Sequence, residues 1–234
     1  MILALDTSTS TASVALYDGE HLLAELTWQA GAAATVQLVP AVQQAFHLVG
    51  KTAEELTGIA VALGPGSFNG LRVGLSVGKG LASALHIPIV GLPTPDVVAY
   101  PFSSLVLPVC TILKAGRGRI VATLYQTRYG RWQRVSDFRN LTPEALCQET
   151  ERATVFCGEI DSGMVSFLHG RLGQHALVAS TALSARRAGY LAEMGWRRLQ
   201  ELPQGDDLAG LQPLYLFPPR LGGASSEKQA PEAA

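Results

Sequence analysis

Gly64-Pro65-Gly66-Ser67-Phe68-Asn69-Gly70-Leu71-Arg72-Val73-Gly74-Leu75-Ser76-Val77-Gly78 is the stretch whose reading decides the fold. An apolar run (Ile59, Ala60, Val61, Ala62, Leu63) leads into it, and a helical pattern follows as far as Leu85. The glycines therefore sit where a strand turns into a helix. Gly64 and Gly66 open backbone conformations closed to other residues, and Pro65 stiffens the turn between them. Ser67 or Asn69 can cap the helix by accepting a bond from a free N–H. Further on, Gly70, Gly74, Gly78 and Ala82 recur every fourth residue. They form one stripe of small side chains that lets another backbone approach, while Leu71, Leu75, Leu81 and Leu85 supply an apolar side.

A strand, a glycine turn and a helix N-terminus together suggest an anion site, because free N–H groups and the helix dipole favour phosphate. The spacing departs from both familiar nucleotide loops. The pattern G-x-G-x-x-G needs glycine where Asn69 stands. The P-loop needs glycine at Val73 and Ser or Thr at Gly80. A tight turn followed by a closely packed helix is the other reading, and the local residues leave both open.

The chain has 234 residues, enough for one large domain or two small ones. Hydrophobic residues make up 47% and charged ones 16%, a globular balance. A net charge of −1 excludes a protein that grips nucleic acid by bulk charge, though not one with a local basic patch. Cys110, Cys147 and Cys157 form no C-x-x-C pair, which fits a reducing compartment. No eighteen-residue apolar run is present. The N-terminus reads straight into a strand without a basic leader, so no signal peptide and no membrane span are expected. The expected location is cytoplasmic.

Ile2 to Leu5 makes a short apolar strand ending at Asp6, followed by the hydroxyl-rich turn Thr7-Ser8-Thr9-Ser10-Thr11. Ala12 to Tyr17 is a second strand, Asp18-Gly19 a hairpin signal and Leu22 to Thr27 the returning strand. Asp6, Thr7, Ser8 and Thr9 could take a metal–phosphate through water, hydroxyls and amides. They could equally satisfy backbone donors in a turn. A helix is expected over about 35–48, with Val36, Val39, Val42, Phe46 and Val49 as its apolar stripe, widened by Leu38, Ala41 and Ala45. Thr52 and Glu55 form a capping box. Ile87 to Gly91 reads as a strand, and Thr94 as the cap of a helix ending near Tyr100. Strand–helix–strand alternation over 59–91 indicates a parallel pair with a right-handed crossover.

The second half repeats the opening in weaker form, suggesting an internal duplication. Strands are expected at 105–113, 120–126, 132–138, 154–157 and 176–179, around a glycine-rich turn at 114–119 and a short helix at Thr142-Pro143-Glu144. Thr181 or Ser184 opens a long helix to about Leu202, with Leu183, Ala188, Leu191, Ala192 and Leu199 inside. Pro213 to Phe217 is extended, and 222–234 has the composition of a disordered tail. His21, His47, His86, His169 and His175 include no i, i+4 pair, so no metal site is expected. Ser67 lies outside any G-x-S-x-G elbow. Lys114, Arg117, Arg119, Arg128, Arg131, Arg134 and Arg139, interleaved with Tyr125, Tyr129 and Trp132, read as an RNA contact or as a solvated hairpin face.

Three stretches carry a family resemblance. They are Ile2-Leu3-Ala4-Leu5-Asp6-Thr7-Ser8 with Ala12-Ser13-Val14-Ala15-Leu16, the Gly64–Gly74 block, and Gly80-Leu81-Ala82 leading to Pro88-Ile89-Val90-Gly91. The chain resembles the TsaB (YeaZ) family, which takes part in making threonylcarbamoyladenosine in tRNA. The resemblance is close over about 1–100 and looser beyond, with Pro213-Leu214-Tyr215-Leu216 similar to the family's end motif. It implies an α/β, actin-like (ASKHA, ribonuclease H-like) duplicated fold with two mixed sheets and flanking helices. The subdomains it implies are 1–100 and 101–221, followed by the 222–234 tail.

The resemblance also implies a non-catalytic scaffold or activator working with a TsaD-like catalytic paralogue and a TsaE-like ATPase. It implies a homodimer when the partner is absent, and indirect contact with tRNA. No cofactor is implied in this chain, ATP and Mg being used by the complex; no catalytic or metal-binding residue is implied either. The family's interface helices correspond to about 35–48 and 70–85, which marks Thr35, Leu38, Val42, Gly70, Leu71, Arg72, Gly74, Leu75 and Gly78 as contacts. The alternative is a stand-alone actin-like ATP-binding enzyme, an ATPase or small-molecule kinase, using Asp6 to Thr9. Departures from the family pattern are Ala34-Thr35 for a His-Ser or His-Thr pair, Ser8 for a glycine, Asn69 for a threonine, and bases for acids in Lys114 to Arg119.

Overall fold

The computed structural model describes residues 1–216. The strands β1 (Ile2–Asp6), β2 (Thr11–Tyr17) and β3 (Leu22–Gln29) form the opening meander. Then follow α1 (Ala34–Val49), β4 (Gly58–Gly64), α2 (Phe68–Leu85), β5 (Ile89–Pro93) and α3 (Thr94–Ala99). The first sheet has the order β3-β2-β1-β4-β5. Its meander is antiparallel, while β1 pairs with β4 and β4 with β5 in parallel. Strands β1 and β4 are buried along their whole length, which is why they read as unbroken apolar runs and not as alternation.

The plan then recurs. β6 (Val109–Gly116), β7 (Arg119–Arg128) and β8 (Arg131–Arg134) meander, with β9 (Arg139–Leu141) on β7. They are followed by α4 (Pro143–Gln148), β10 (Thr154–Gly158), α5 (Ser162–Leu172), β11 (Ala176–Val178) and α6 (Ala188–Glu201). The order β11-β10-β6-β7-β8 repeats the first sheet strand for strand, antiparallel in the meander and parallel beyond it. The duplication is therefore a property of the topology.

The two units exchange their last helices. α1 and α2 cover one face of the first sheet, where Leu38, Val42, Phe46 and Leu75 meet Leu3, Val14 and Val61. The opposite face is covered by α6, with Leu191, Ala192 and Leu199 against Ile2, Ala15, Ala60 and Val90. α3 leads into the second sheet, where Val98 and Ala99 join Val109, Leu113 and Val155. α6 and the segment through Leu214, beyond the expected boundary at 100/101, pack on the first sheet. Asp206 donates its N–H to Ile89 and Leu214 to Leu63, at 2.8 and 2.7 Å.

Other expectations are corrected locally. The segment Leu105-Val106-Leu107 precedes β6 and is exposed. The turn expected over 114–119 narrows to Arg117-Gly118, because β6 runs to Gly116 and β7 starts at Arg119. Helix α5, capped by the Asp161 side chain at the Met164 N–H, was not expected. α6 starts at Ala188, where the N–H bonds Ser13 Oγ at 2.9 Å, and Leu183 lies outside it, 56% exposed. Thr94 does not cap α3; its hydroxyl accepts the Gly64 N–H across the sheet edge at 3.0 Å. The expected tail at 222–234 lies outside the described residues. Among the described residues no helix is long and apolar enough to cross a membrane.

Candidate functional site

The first-strand turn and the glycine turn are one structure. Asp6, Thr7 and Ser8 are almost fully buried and Thr9 is 8% exposed. Asp6 Oδ1 accepts the Ser8 N–H at 2.8 Å and the Ser8 hydroxyl at 2.6 Å, the geometry of an aspartate bracing its own turn. Asp6 Oδ2 is buried without a partner. Thr7 donates its hydroxyl to the Gly70 carbonyl at 2.6 Å and accepts the Gly74 N–H at 3.1 Å. Ser67 caps α2 by accepting the Gly70 N–H, and its own N–H donates to the Ser8 carbonyl at 2.7 Å.

The glycine stripe explains how two backbones come this close. A Cβ on Gly66 would lie 2.1 Å from the Ser8 carbonyl oxygen, and one on Gly70 would lie 2.0 Å from that of Thr7. A Cβ on Gly74 would meet Thr7 Oγ1 at 2.5 Å, and one on Gly78 the Val61 side chain at 2.6 Å. This corrects the expectation that Gly70, Gly74 and Gly78 serve a partner's helix. The backbone they admit is this chain's own first turn, and below it the first sheet. Leu38, Val42, Leu71 and Leu75 are likewise core residues, at 0–7% exposure, and do not reach the surface. The glycine-turn backbone packs directly against Thr7 and Ser8.

Of the expected contact residues, Thr35 and Arg72 are exposed. Arg72 is engaged within the chain: its guanidinium lies 3.9 Å over the Phe68 ring, and its Nε donates to the Tyr215 hydroxyl at 3.1 Å. Phe68 and Tyr215 stack at 5.1 Å. Arg72 therefore latches the end motif to the glycine turn.

What remains outward on α1 is a face that sequence reasoning assigned to the core. Val36 is 72% exposed, Val39 45% and Leu48 61%, with Thr35, Gln37, Pro40, Gln43 and Gln44 between them. The inward set is Ala34, Leu38, Val42, Ala45 and Phe46. Apart from His47, the 16 residues of α1 contain no ionisable side chain. The bases of α2 are Arg72 and Lys79, and Lys79 also turns to the chain's own end, donating to the Ala209 carbonyl. A surface helix that is apolar on both sides and free of charge has the composition of an interface core. That composition was the available signal: the apolar stripe read in α1 is wider than one buried face needs.

The basic stretch 114–139 does not gather into one patch. Lys114 pairs with Asp161 at 2.8 Å and Arg139 with Glu149; Arg119 bonds Asn140, and Arg134 lies 4.2 Å over the Phe138 ring. Arg128 and Arg131 flank the fully exposed Tyr129 at a hairpin tip. Cys110 and Cys157 are buried; burial pushes the Cys110 thiol up to about 12 and raises Cys157 also, so neither is a reactive thiolate. Among the described residues no group of three or more His, Cys, Asp or Glu could hold a metal ion.

Residues 29–149 match the family model for tRNA N6-adenosine threonylcarbamoyltransferase, TsaD. The tRNA threonylcarbamoyladenosine biosynthesis protein TsaB of Bacillus subtilis is 29% identical over 221 residues, covering 92% of this chain and 93% of that protein. The solved structure of a Pseudomonas aeruginosa protein with similarity to peptidase YeaZ superposes with a TM-score of 0.75 at 24% identity, over 92% of this chain and 99% of that one. A ROK hexokinase from Thermus thermophilus superposes at 0.50 with 11% identity, over 86% and 99%. These likenesses make the fold an actin-like one.

Proposed function

We propose, from the premise that this chain belongs to the TsaD family in its TsaB (YeaZ) branch, that it is a partner protein in the biosynthesis of threonylcarbamoyladenosine in tRNA. It acts as a non-catalytic scaffold or activator for a TsaD-like catalytic subunit, with a TsaE-like ATPase as the third component. The observation that supports this most is the uncharged, apolar outer face of α1, beside α2 on one side of the first sheet. Depletion of charge over a face that exposes Val36, Val39 and Leu48 favours a protein partner. The same face pairs two copies of the chain when the partner is absent. The reading places the protein in the cytoplasm, with tRNA contact made through the complex.

The alternative of a stand-alone ATP-binding enzyme is not favoured. Both hydrogen-bonding functions of Thr7 are committed to α2, and the glycine-turn backbone covers Ser8. On this reading ATP and Mg act at the level of the assembled complex. Deleting the gene in its host and measuring threonylcarbamoyladenosine in bulk tRNA by mass spectrometry tests the function. Loss of the modified nucleoside, restored by the intact gene, is expected; unchanged levels contradict it.

A further inference from the structure

The hairpin of β7 and β8 is not used by the partner role. Its strands are joined by the turn Tyr129-Gly130, with Arg128 paired to Arg131 across it. Both turn residues have positive φ, 53° and 72°. That is the mirror-image turn that suits strand twist, and its first position is normally Asn, Asp or Gly. Tyrosine is disfavoured on that backbone, and here its ring is fully exposed and packs on nothing. Neither the turn nor the core accounts for it.

Residues directly opposite, or two apart along a strand, share a face of an antiparallel pair. Gln126, Arg128, Arg131 and Gln133 therefore form one face of the hairpin. On the other, Tyr125 and Trp132 stack at 5.8 Å and anchor the strands to the second core. Arg152 widens the outer face, its Nη2 donating to Gln126 Oε1 at 3.1 Å. All three arginines are exposed, and among the described residues none makes an ion pair. Arg128 and Arg131 stand directly opposite, a like-charge pair that weakens the hairpin on its own. From Lys114 to Ser136 the sequence has six bases and no acid, in a chain of net charge −1. Neighbouring acids are engaged: Glu149 holds Arg139, and Asp96 accepts the Tyr125 hydroxyl at 2.6 Å. Glu151, beside Arg152 in the chain, is exposed and makes no ion pair.

A face of guanidinium and amide groups lacks the apolar centre of a protein interface. Guanidinium forks match phosphate oxygens, and a free aromatic ring stacks on an unpaired base. We propose that the β7–β8 hairpin is an RNA contact: Arg128, Arg131 and Arg152 hold the backbone of a single-stranded segment, and Tyr129 stacks on one of its bases. This gives the chain its own contact with RNA, and it rests on the function proposed above for RNA as the polyanion. It is separate from the outer face of α1.

The test titrates the full chain into fluorescein-labelled unmodified tRNA and into a single-stranded RNA of about ten nucleotides, read by anisotropy. Saturable binding to at least one is expected. Tyr129→Asn suits the turn better than tyrosine, so it keeps the hairpin, and it should weaken binding about fivefold or more at an unlowered melting temperature. Arg128→Gln with Arg131→Gln should weaken binding about tenfold or more. The slope of log K against log salt should also fall in magnitude by about 1.4, the share of two phosphate contacts on a single strand. Both proteins should still bind the TsaD-like partner, since neither change touches α1. Absence of saturation with both RNAs overturns the proposal, as do variants that bind RNA like the parent. Either result with partner binding intact leaves the partner role standing, so the two readings fail separately. Displacement of the RNA by poly-L-glutamate at equal charge also overturns the proposal, in favour of an acidic protein.

Discussion

Thr7 fixes how α2 sits on the first sheet, because one hydroxyl serves two backbone groups of the helix, the Gly70 carbonyl and the Gly74 N–H. Replacing it with valine keeps the shape and leaves both groups buried and unpaired. The expected loss is about 1–3 kcal/mol, read as a lower urea midpoint at unchanged m-value. The glycines beside it are separable by the same measurement. Gly70→Ala sets a methyl against the Thr7 carbonyl, which is backbone and cannot turn aside, so a cost of about 3 kcal/mol or more is expected. Gly80→Ala, on the same helix with nothing within 4 Å, should instead stabilise by roughly 0.5–1 kcal/mol through helix propensity. At this scale the sequence was half legible. Small residues every fourth position state how near a neighbour comes, and the structure supplies which neighbour: Thr7, some sixty residues away in the chain.

Among the elements, α1 carries the functional claim. Its buried side is fixed by the sheet, and its outer side, Val36, Val39 and Leu48, touches solvent in the isolated chain. Val36→Glu with Val39→Glu should leave stability within about 0.5 kcal/mol, since neither side chain is in the core. The pair should weaken partner binding by about 2 kcal/mol or more. Thermal melting alongside a binding isotherm separates the two effects, and weakened binding with an altered melt would point to unfolding instead. The period of α1 was plain in the sequence, but a helix apolar on two sides does not say which side meets its own sheet. The start of α6 was misread for a related reason. Its first N–H is satisfied by Ser13, from the other end of the chain, and local capping rules cannot see that bond.

Over the whole molecule, the repeated strand order follows from two meanders each succeeded by parallel strands, and that much was visible as hairpin and turn signals. The exchange of α3 and α6 was not, because it rests on tertiary contacts that no local pattern encodes. Those contacts include titratable pairs. Tyr100 donates to Glu193 on α6 at 2.8 Å, and burial first, then Glu193, pushes its phenol up to about 12. Tyr125 donates to Asp96 on α3 at 2.6 Å and is raised in the same sense, mainly by burial. Both phenols ionise less readily folded than unfolded. Stability should therefore hold below about pH 10 and fall as pH rises from there through 12. Tyr100→Phe should flatten that decline in denaturant melts taken across the window; an unchanged slope would remove Tyr100 from the account.

The most direct test of the partner claim is light scattering behind a sizing column, with this chain mixed with the TsaD-like protein of its own host. The account predicts a one-to-one complex with the parent chain and no complex with the folded Val36→Glu, Val39→Glu protein. A parent chain that stays unbound, or a variant that binds as tightly as the parent, would contradict it.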